Sequence, residues 1–552
     1  MFGYSLFSTS PVRAAAAGAA LALLAVGCSS GGEATAGAGG ADSGTPVQGG
    51  NLTIAVSSFQ PCLDVSLTGG RNSTVTHQIL DTLTDQDPKT GEIIPRLATK
   101  WEVNDDYTVF TFHLREGVTF SDGTPLDAKT VADNFTTLAG LVGEGKTDTL
   151  TLNALNSFSG VEVVDPLTVR LNFKLPELGF LRNASDPYLA ILSASTLATT
   201  TEERCAGRLV GTGPFVFDQI VKDKSITLKR RADYNWGADG VIQHQGPSYL
   251  EGIVFEAVPE SGVRVGGLVS GQFDISDDIP ITDLPQLRSA GQTIVSRVVP
   301  NLVPGMRPNP YSPLGSDDAV RRAILKGTDR KEITETLYPE IYKAPTSIVS
   351  SGTAGWKDFG TDLAYDPEGA KKILDEAGWK PGADGVREKD GVRLEPKITY
   401  IIGNFFGATQ QELELAQQQL ARIGVKVEIK ANTPADNAAM LKDISKADYD
   451  FLTGSGASKD IDFLAGLFKK SNSALLNAEQ PELEAVADAL NEAATPEART
   501  KAADDLQKYV IDHGHWIPLR EQTKVVAVSP RVKGYVLDTY AAHFFHDTWL
   551  AG

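Results

Sequence analysis

Residues 396–430 form a pattern that limits the folds open to this chain. The runs PKITYII and VKVEIK are short and β-rich, and ATQQELELAQQQLARIG between them has the apolar spacing of an amphipathic helix. Two strands joined through a helix run in the same direction, because a tight turn can only reverse the chain. The pattern therefore predicts a strand–helix–strand unit in a parallel or mixed sheet.

The rest of the chain divides into a part rich in strands and a part in which helices and strands alternate. Before about residue 315, TVFTFHL (108–114) alternates along its length, which predicts a half-buried strand with Phe110 and Phe112 on one face. Helices dominate after that point, but IPLREQTKVVAVSP (517–530) returns to strand. A final strand after an α/β part indicates that the chain crosses between two lobes more than once, and ligands favour the cleft between such lobes.

Three segments carry helix signals. Asp127 predicts the N-cap of a helix that begins at Ala128, and DPEGAKKILDEAG (366–378) predicts a second helix with Gly378 as its C-cap. VTHQILDTLTD (75–85) has apolar residues at helical spacing and predicts a third helix.

The charge and the motifs exclude several classes of function. The net charge of −19 argues against a nucleic-acid partner, because an acidic surface repels phosphates. The chain has no H-E-x-x-H and no C-x-x-C motif. In 552 residues, any trio of serine, histidine and aspartate can be chosen at will, so none indicates catalysis. We therefore predict that the protein is not an enzyme, needs no cofactor and binds no nucleic acid.

Residues 1–27 have the composition of a signal peptide. They carry one charged residue, Arg13, and then an apolar run that is too short for a comfortable membrane span. The run ends in LLAVGC, with small residues before Cys28, and resembles a bacterial lipobox in which this cysteine is lipidated. Plain secretion is the alternative. Residues 28–49 predict a flexible tether, so we expect a protein outside the cytoplasm, periplasmic or at the cell surface, with a lipid anchor in the cell membrane.

Two further cysteines, Cys62 and Cys205, lie in the body of the chain. An even pair in an exported protein predicts a disulfide between them. Two buried free thiols are the alternative.

Two short runs pair histidines. HGH (513–515) places both rings on one face of a strand, and HFFH (543–546) has helical spacing. No third and fourth ligand is evident for either pair, so we predict no direct metal binding.

Six segments occur in an order that is typical of one protein family. They are IIPRLATKWEVNDDYTVFTFHLREGVTFSDGTPLDAKTVADNF (93–135), VGTGPFVF (210–217), RRADYNW (230–236), SPLGSDDAVRRAILKGTDRKEI (312–333), AYDPEGAKKILDEAGW (364–379) and LARIGVKVEI (420–429). Together they resemble family 5 of the extracellular solute-binding proteins, the peptide/nickel-type receptors of ABC importers. The resemblance covers essentially all of residues 50–550.

The resemblance implies an α/β, two-lobed fold of the periplasmic-binding-protein type (type II, large peptide-binding class), with an extra subdomain in the first lobe. It implies a first lobe over residues 50–300, with the extra subdomain at about 93–200. The second lobe would span residues 301–512, and residues 513–552 would return to the first lobe. The implied function is to capture a peptide or peptide-like solute between the lobes and to deliver it to an ABC permease and ATPase complex. We expect a monomer that meets the membrane only through its lipid anchor.

Peptide receptors of this family hold the ammonium group of their ligand with an Asp, and the dipeptide receptor holds the carboxylate with an Arg. By alignment Ser458 stands at the Asp position, and Gly403 or Asn404 at the Arg position, so both anchors are missing. Asp460 or Asp462 serves the ammonium group if the alignment shifts. An opine, a glycoside or a metal chelate is therefore an alternative solute, and surface sensing is an alternative role. A secreted hydrolase is disfavoured.

The resemblance also places several loops at the cleft. The candidate ligand-binding residues are Arg71, Asn72, Arg307, Asn404, Phe405, Phe406, Ser455, Ser458, Lys459 and Asp460. We expect one of the two phenylalanines to contact the ligand. Arg71 is a candidate for binding an acidic group, and Arg307 is a second candidate.

Overall fold

The computed structural model describes residues 44–68, 73–402, 409–469 and 480–552. Within these ranges the longer strands form three main sheets with helices packed on them. None of the helices in the same ranges combines the length and the hydropathy that a membrane span needs. The fold is mixed α/β, as the sequence predicts.

A mixed seven-stranded sheet forms the centre of what we call the first lobe. In sheet order its strands are Thr293–Val298, Thr523–Val528, Ile275–Ser276, Asn51–Val56, Gly252–Ala257, Ser225–Arg230 and Phe215–Val221. Asn51–Val56 pairs in parallel with both of its neighbours, and the other pairs are antiparallel. Leu52, Ile54 and Phe255 are fully buried, so this sheet carries a hydrophobic core of its own.

A four-stranded antiparallel sheet forms a second core in the first lobe. In sheet order its strands are Ala98–Val103, Val109–Leu114, Thr168–Phe173 and Phe158–Asp165. Phe110 and Phe112 lie together in its core, which confirms the predicted strand. The helix Ala128–Gly143 packs on the same sheet. It is capped as predicted, because the Asp127 carboxylate accepts a hydrogen bond from the Thr130 N–H at 2.7 Å.

A five-stranded sheet forms the centre of the second lobe. In sheet order its strands are Glu428–Asn432, Lys397–Ile401, Phe451–Ala457, Asn301–Pro308 and Ile517–Pro518. The strands Lys397–Ile401 and Glu428–Asn432 pair in parallel, and the helix Gln410–Ala421 lies between them in the chain. The predicted strand–helix–strand unit is therefore confirmed.

The remaining elements pack on these sheets or connect their strands. Other helices of at least four residues are Val65–Thr68, Ser73–Thr76, Thr149–Leu155, Phe180–Asn183, Ala194–Leu197, Thr201–Cys205, Ser261–Val269, Leu284–Ser289, Pro313–Ser316, Asp318–Gly327, Arg330–Leu337, Pro367–Glu376, Pro434–Met440, Phe463–Leu467, Pro481–Asn491 and Pro496–Asp512. Other short strands pair as Thr84–Gln86 with Ile93–Pro95, Val532–Lys533 with Trp549–Leu550, Val536–Leu537 with His543–Phe544, and Arg387–Lys389 with both Lys380–Pro381 and Val392–Arg393. The predicted helix over 366–378 is confirmed, since Asp366 caps it and Gly378 follows its end with a φ of 87°.

The predicted helix over residues 75–85 is wrong for most of its length, because a helix covers only Ser73–Thr76. The segment instead lies against the VGTGPFVF run, where the Gly213 N–H donates to the Ile79 carbonyl at 3.0 Å. A Cβ atom on Gly211 would lie 2.2 Å from the same carbonyl oxygen, so only glycine permits this approach. The apolar residues are buried as a helix face would be. The local hydrogen bonds end where the Leu80 N–H donates to the Thr76 carbonyl at 3.0 Å, and the later carbonyls accept from other segments instead.

The chain crosses between the two lobes at two neighbouring points. It enters the second-lobe sheet at Asn301 and leaves it after Ile517–Pro518. Asn301 Nδ2 donates to Gln522 Oε1 at 2.6 Å, so the two crossings lie side by side. The predicted return at residue 513 is too early, because Ile517–Pro518 still pairs with a second-lobe strand and the first-lobe sheet resumes at Thr523. The other lobe bounds stay predictions.

Cys62 and Cys205, the pair indicated by the sequence, are joined by a disulfide across 143 sequence positions. The Leu63 N–H donates to the Cys205 carbonyl at 2.9 Å. Asp64 and Arg204 form a buried ion pair beside the bridge, with Arg204 Nη2 2.6 Å from Asp64 Oδ2. The bridge thus ties the segment after the first strand to the helix Thr201–Cys205.

Candidate ligand-binding cleft

The loop after the strand Phe451–Ala457 carries three of the predicted ligand-binding residues, Ser458, Lys459 and Asp460. The Ser458 N–H donates to the Pro300 carbonyl at 3.3 Å, next to a crossing between the lobes. Ser458 Oγ donates to the Asp460 carbonyl at 2.9 Å and closes a tight turn. The turn holds the Lys459 and Asp460 side chains at the boundary between the lobes.

Lys459 forms a buried ion pair with Asp186 of the first lobe. Its Nζ lies 2.6 Å from Asp186 Oδ1, and the two side chains are only 5% and 4% exposed. Asp186 precedes the short helix Pro187–Leu189, which packs into the core of the four-stranded sheet. The Lys459 Nζ also lies 4.9 Å from the centre of the Tyr540 ring. Burial raises the pKa of Asp186 above its ordinary value, and the charge of Lys459 opposes this shift.

Asp460 lies between two arginines, one from each lobe. Arg182 Nε is 3.3 Å from Asp460 Oδ2, and Arg499 contacts Asp460 Oδ1. Arg499 Nη2 is also 2.8 Å from Asp462 Oδ1. Burial works against the charge of Arg499, but the two carboxylates outweigh it and raise the Arg499 pKa. Burial and the charge of Asp460 raise the pKa of Asp462 to about 6, although Arg499 opposes the shift.

The lobes touch closely at Gly179. A Cβ atom on this residue would lie 2.5 Å from Asp462 Oδ2, so glycine permits the approach. Glu177, two residues earlier, accepts a hydrogen bond from Ser157 Oγ. Burial raises the pKa of Glu177 to about 7; the hydrogen bond opposes the shift and the charge of Asp462 adds to it. The contact between the lobes therefore holds two carboxyl groups that gain protons near neutral pH.

Glu177 is expected to make the protein less stable as the pH rises from about 4.5 to 7. Its pKa in the folded state, about 7, lies above the ordinary value of 4.5, so in this range only the unfolded state releases the proton. This one group therefore lowers the free energy of unfolding by about 3 kcal/mol over that pH range. Glu177→Gln should remove that part of the pH dependence, which urea unfolding at pH 4.5 and pH 8 measures.

The matched control is Glu162→Gln, because Glu162 is 56% exposed in a surface pair with Arg170. This variant should keep the pH dependence of the unmodified protein. If Glu177→Gln and the unmodified protein lose equal stability between the two pH values, Glu177 does not hold a raised pKa.

The structure does not bring Arg307 together with these residues. Arg307 lies near the far end of its strand, opposite Leu452, whereas Ala457 at the cleft end pairs with Asn301. Arg307 is six positions along the strand from Asn301, which is roughly 20 Å. Arg307 is buried there, and burial lowers its pKa to about 10. Arg307 therefore lies at a core position and not next to Lys459 and Asp460.

The structure says less about the remaining residues that the sequence singles out. Ser455 is half-buried within the strand Phe451–Ala457. Arg71, Asn72, Asn404, Phe405, Phe406 and Cys28 lie outside the described residues.

Sequence reasoning missed the first-lobe partners of the cleft. Arg182 and Asp186 lie in GFLRNASDPYLAIL (179–192), where two charged residues interrupt an otherwise apolar and small run. Charges in such a run indicate buried, paired groups, so this signal was available. Arg499 had no such signal, because it lies in a helix rich in exposed charges.

A phosphate-loop pattern in the chain is accidental. GLVGEGKT (140–147) matches the spacing of glycines, lysine and threonine in a nucleotide-binding loop. A phosphate loop follows a strand, but this run begins in the last turn of the helix Ala128–Gly143 and continues past its end. The pattern therefore lacks the backbone context that binds phosphate.

Comparison with known sequences finds binding proteins. The family model described as bacterial extracellular solute-binding proteins, family 5 Middle, matches residues 92–474. Heme-binding protein A of Haemophilus influenzae is 27% identical over 518 residues, which cover 90% of each chain. Di/tripeptide-binding protein 4 of Pseudomonas aeruginosa is 26% identical over 501 residues, 84% of this chain and 87% of that one. Glutathione-binding protein GsiB of Escherichia coli (strain K12) is 25% identical over 469 residues, 82% and 85% of the two chains.

Comparison with solved structures shows the fold. NikA from Brucella suis, in complex with Fe(III)-EDTA, superposes with a TM-score of 0.77 at 21% identity, over 91% of this chain and 100% of that one. DppA from Helicobacter pylori, in complex with the peptide STSA, gives a TM-score of 0.71 at 23% identity, over 92% and 99%. At these identities the likeness shows the fold alone. The predicted two-lobed α/β binding-protein fold is confirmed.

Proposed function

The chain belongs to family 5 of the bacterial extracellular solute-binding proteins, and we propose that it captures a peptide or peptide-like solute between its lobes for an ABC importer. Its relatives are binding proteins, and the chain is accordingly a solute-binding protein and not an enzyme. What we propose beyond the family is the class of solute that the protein binds.

The observation that supports this solute class is the buried ion pair between Lys459 and Asp186. Opening the lobes separates Lys459 from Asp186 and Arg182 from Asp460, since each pair has one member in each lobe. The first lobe then presents Arg182 and Asp186 to the cleft. The second lobe presents Lys459 and Asp460, with Asp460 still paired to Arg499. A zwitterion matches this arrangement, because both of its charges need opposite partners when the cleft closes over it.

In the proposed closed complex the solute replaces the two ion pairs. Its ammonium group lies near Asp186 or Asp460, and its carboxylate lies near Lys459 or Arg182. Contacts to both lobes favour the closed state over the open one, which is how binding drives closure. The permease and ATPase complex then receives the solute from the closed form.

The proposal extends to the membrane. The lipobox-like LLAVGC supports removal of residues 1–27 and lipidation of Cys28. The tether would then hold a monomeric body outside the cytoplasm, at the membrane surface. Cys28→Ser should move the protein from the membrane fraction to the soluble fraction, whereas a protein secreted without lipid would be soluble before and after this change.

The solute class is tested by calorimetry and thermal shift with matched ligands. Free di- and tripeptides are compared with the same peptides N-acetylated or C-amidated. At a hundredfold excess over Kd, a binding solute stabilises the protein by about 2.7 kcal/mol. We expect free peptides to bind, and blocking either terminus to weaken binding. Equal affinity for free and doubly blocked peptides would contradict the two-charge arrangement.

A non-peptide solute is the second candidate, because Ser458 stands where peptide receptors carry their ammonium-binding Asp. The ligands to include are an opine, a glycoside and a metal chelate. A response to one of these with none to peptides would replace the peptide proposal. A neighbouring permease and ATPase gene pair distinguishes transport from surface sensing.

A further inference from the structure

Three metal-ligating side chains converge in the first lobe, and they share no residue with the cleft. His244 Nδ1 lies 2.7 Å from Asp547 Oδ1, and His546 Nδ1 lies 3.3 Å from the same oxygen. One ligand atom from each of the three residues lies within 4.8 Å of the other two. His244 is some three hundred positions from the other two in the chain, which is why the sequence predicts no site at the HFFH run.

The hydrogen bond at Nε2 of each imidazole determines whether Nδ1 carries a proton or a free lone pair in the neutral ring. His244 Nε2 is 3.1 Å from the Pro247 carbonyl, and His546 Nε2 is 2.9 Å from the Gly246 carbonyl. A carbonyl only accepts hydrogen bonds, so each Nε2 carries a proton. In the neutral rings both Nδ1 lone pairs then face the carboxylate. Backbone carbonyls orient metal-ligating histidines in this same way.

The carboxylate is oriented as well. Asp547 Oδ2 accepts a hydrogen bond from the Gln243 N–H at 2.9 Å, which leaves Oδ1 directed at the two imidazoles. With both rings neutral, three electron-rich atoms meet at one point. Either a proton on an imidazole or a cation between the three ligands relieves their repulsion.

We propose that His244, His546 and Asp547 bind a divalent transition-metal ion, with Zn²⁺ as the first choice and Ni²⁺ as the second. Imidazole and carboxylate ligands suit both ions. In a tetrahedral zinc site the ligand atoms are about 3.3 Å apart. The distance from His546 Nδ1 to Asp547 Oδ1 is 3.3 Å and fits, whereas His244 Nδ1, at 2.7 Å from the same oxygen, has to move away from it. Three protein ligands leave one position for water or for an exogenous ligand.

The neighbouring residues hold the three ligands in place and leave a path by which an ion reaches them. His546 is fully buried, whereas His244 is 21% exposed, so an ion reaches the site from the His244 side. The Tyr249 ring stacks on His244 with ring centres 4.0 Å apart, which holds the imidazole in place. His543, the other histidine of the HFFH run, is 3.1 Å from Asp277 and takes no part. A bound ion would fasten the C-terminal segment to the loop before the strand Gly252–Ala257.

The test is titration of the full chain carrying Cys28→Ser, without a histidine tag, after removal of metals with EDTA and dialysis. Zn²⁺ alone is added in a non-chelating buffer, with no peptide present, and binding is followed by calorimetry and by metal analysis. We expect one ion per chain and a rise in Tm. His244→Ala should weaken binding at least a hundredfold. His244→Gln serves as a second, less disruptive variant.

The matched control is His513→Ala, because His513 forms the comparable pair with Asp318 at 3.0 Å. This variant should bind Zn²⁺ as the unmodified protein does, and so should Lys459→Met in the cleft. The proposal is overturned if the unmodified protein binds Zn²⁺ no more tightly than His244→Ala and His244→Gln. Loss of the ion in His513→Ala or Lys459→Met would also overturn it, because the metal would then lie elsewhere.

Discussion

Replacing both Cys62 and Cys205 by alanine is expected to lower the free energy of unfolding by about 5 kcal/mol. The bridge joins positions 143 residues apart, and closing so long a loop removes much conformational freedom from the unfolded chain. The buried ion pair of Asp64 and Arg204 beside it remains in the variant and should keep the local packing. Urea unfolding at neutral pH measures the difference.

The control is the unmodified protein unfolded with and without a reductant. Reduction should reproduce most of the loss seen in the double alanine variant, since both remove the same cross-link. A loss below about 1 kcal/mol in both experiments would mean that the unfolded chain is already compact around this loop, and that the bridge constrains little.

Lys459→Met is expected to favour opening of the lobes by about 3–5 kcal/mol, because it leaves the Asp186 carboxylate buried without its partner. The carboxylate escapes this cost either by moving into water as the lobes separate or by taking up a proton. The effect should therefore be larger at pH 8 than at pH 5, as the raised pKa of Asp186 implies. Small-angle scattering of the ligand-free protein measures the opening as an increase in the radius of gyration.

The matched control is Lys357→Met, which removes the same charge from a partly exposed pair with Asp504 inside the second lobe. Its scattering curve should equal that of the unmodified protein, since such pairs contribute little. The double variant Lys459→Met/Asp186→Leu should recover much of the closed form, because no buried charge is left. A radius of gyration for Lys459→Met equal to that of the control would contradict the role of this pair.

Local signals in the sequence are reliable where the backbone makes the hydrogen bonds that those signals predict. The alternation of Phe110 and Phe112, the cap at Asp127 and each single element of the strand–helix–strand unit over 396–430 depend on neighbours within a few positions. The helix predicted over 75–85 is wrong even though its apolar residues are buried. Its apolar spacing is that of a helix, but after a short turn its carbonyls accept hydrogen bonds from several distant segments, and those of Gln78 and Ile79 accept from the VGTGPFVF run.

The cleft is predictable only in part. The family resemblance predicts Lys459 and Asp460 as ligand-binding residues, because it places their segment at the cleft, and their contact with a solute stays a prediction. Their partners Asp186, Arg182 and Arg499 are far away in sequence, and each is recognised only when the lobes are brought together.

The sequence by itself determined the fold class, the family and the pairing of the two cysteines, because these depend on patterns repeated along the chain and on residue types in a typical order. The tertiary structure alone decided which charges neutralise one another between the lobes, and it brought His244 to His546 and Asp547. The physical reason is that a buried charge or an unshared lone pair does not require particular residue types next to it in the sequence. Its partner can come from any segment that the fold carries within a few ångströms.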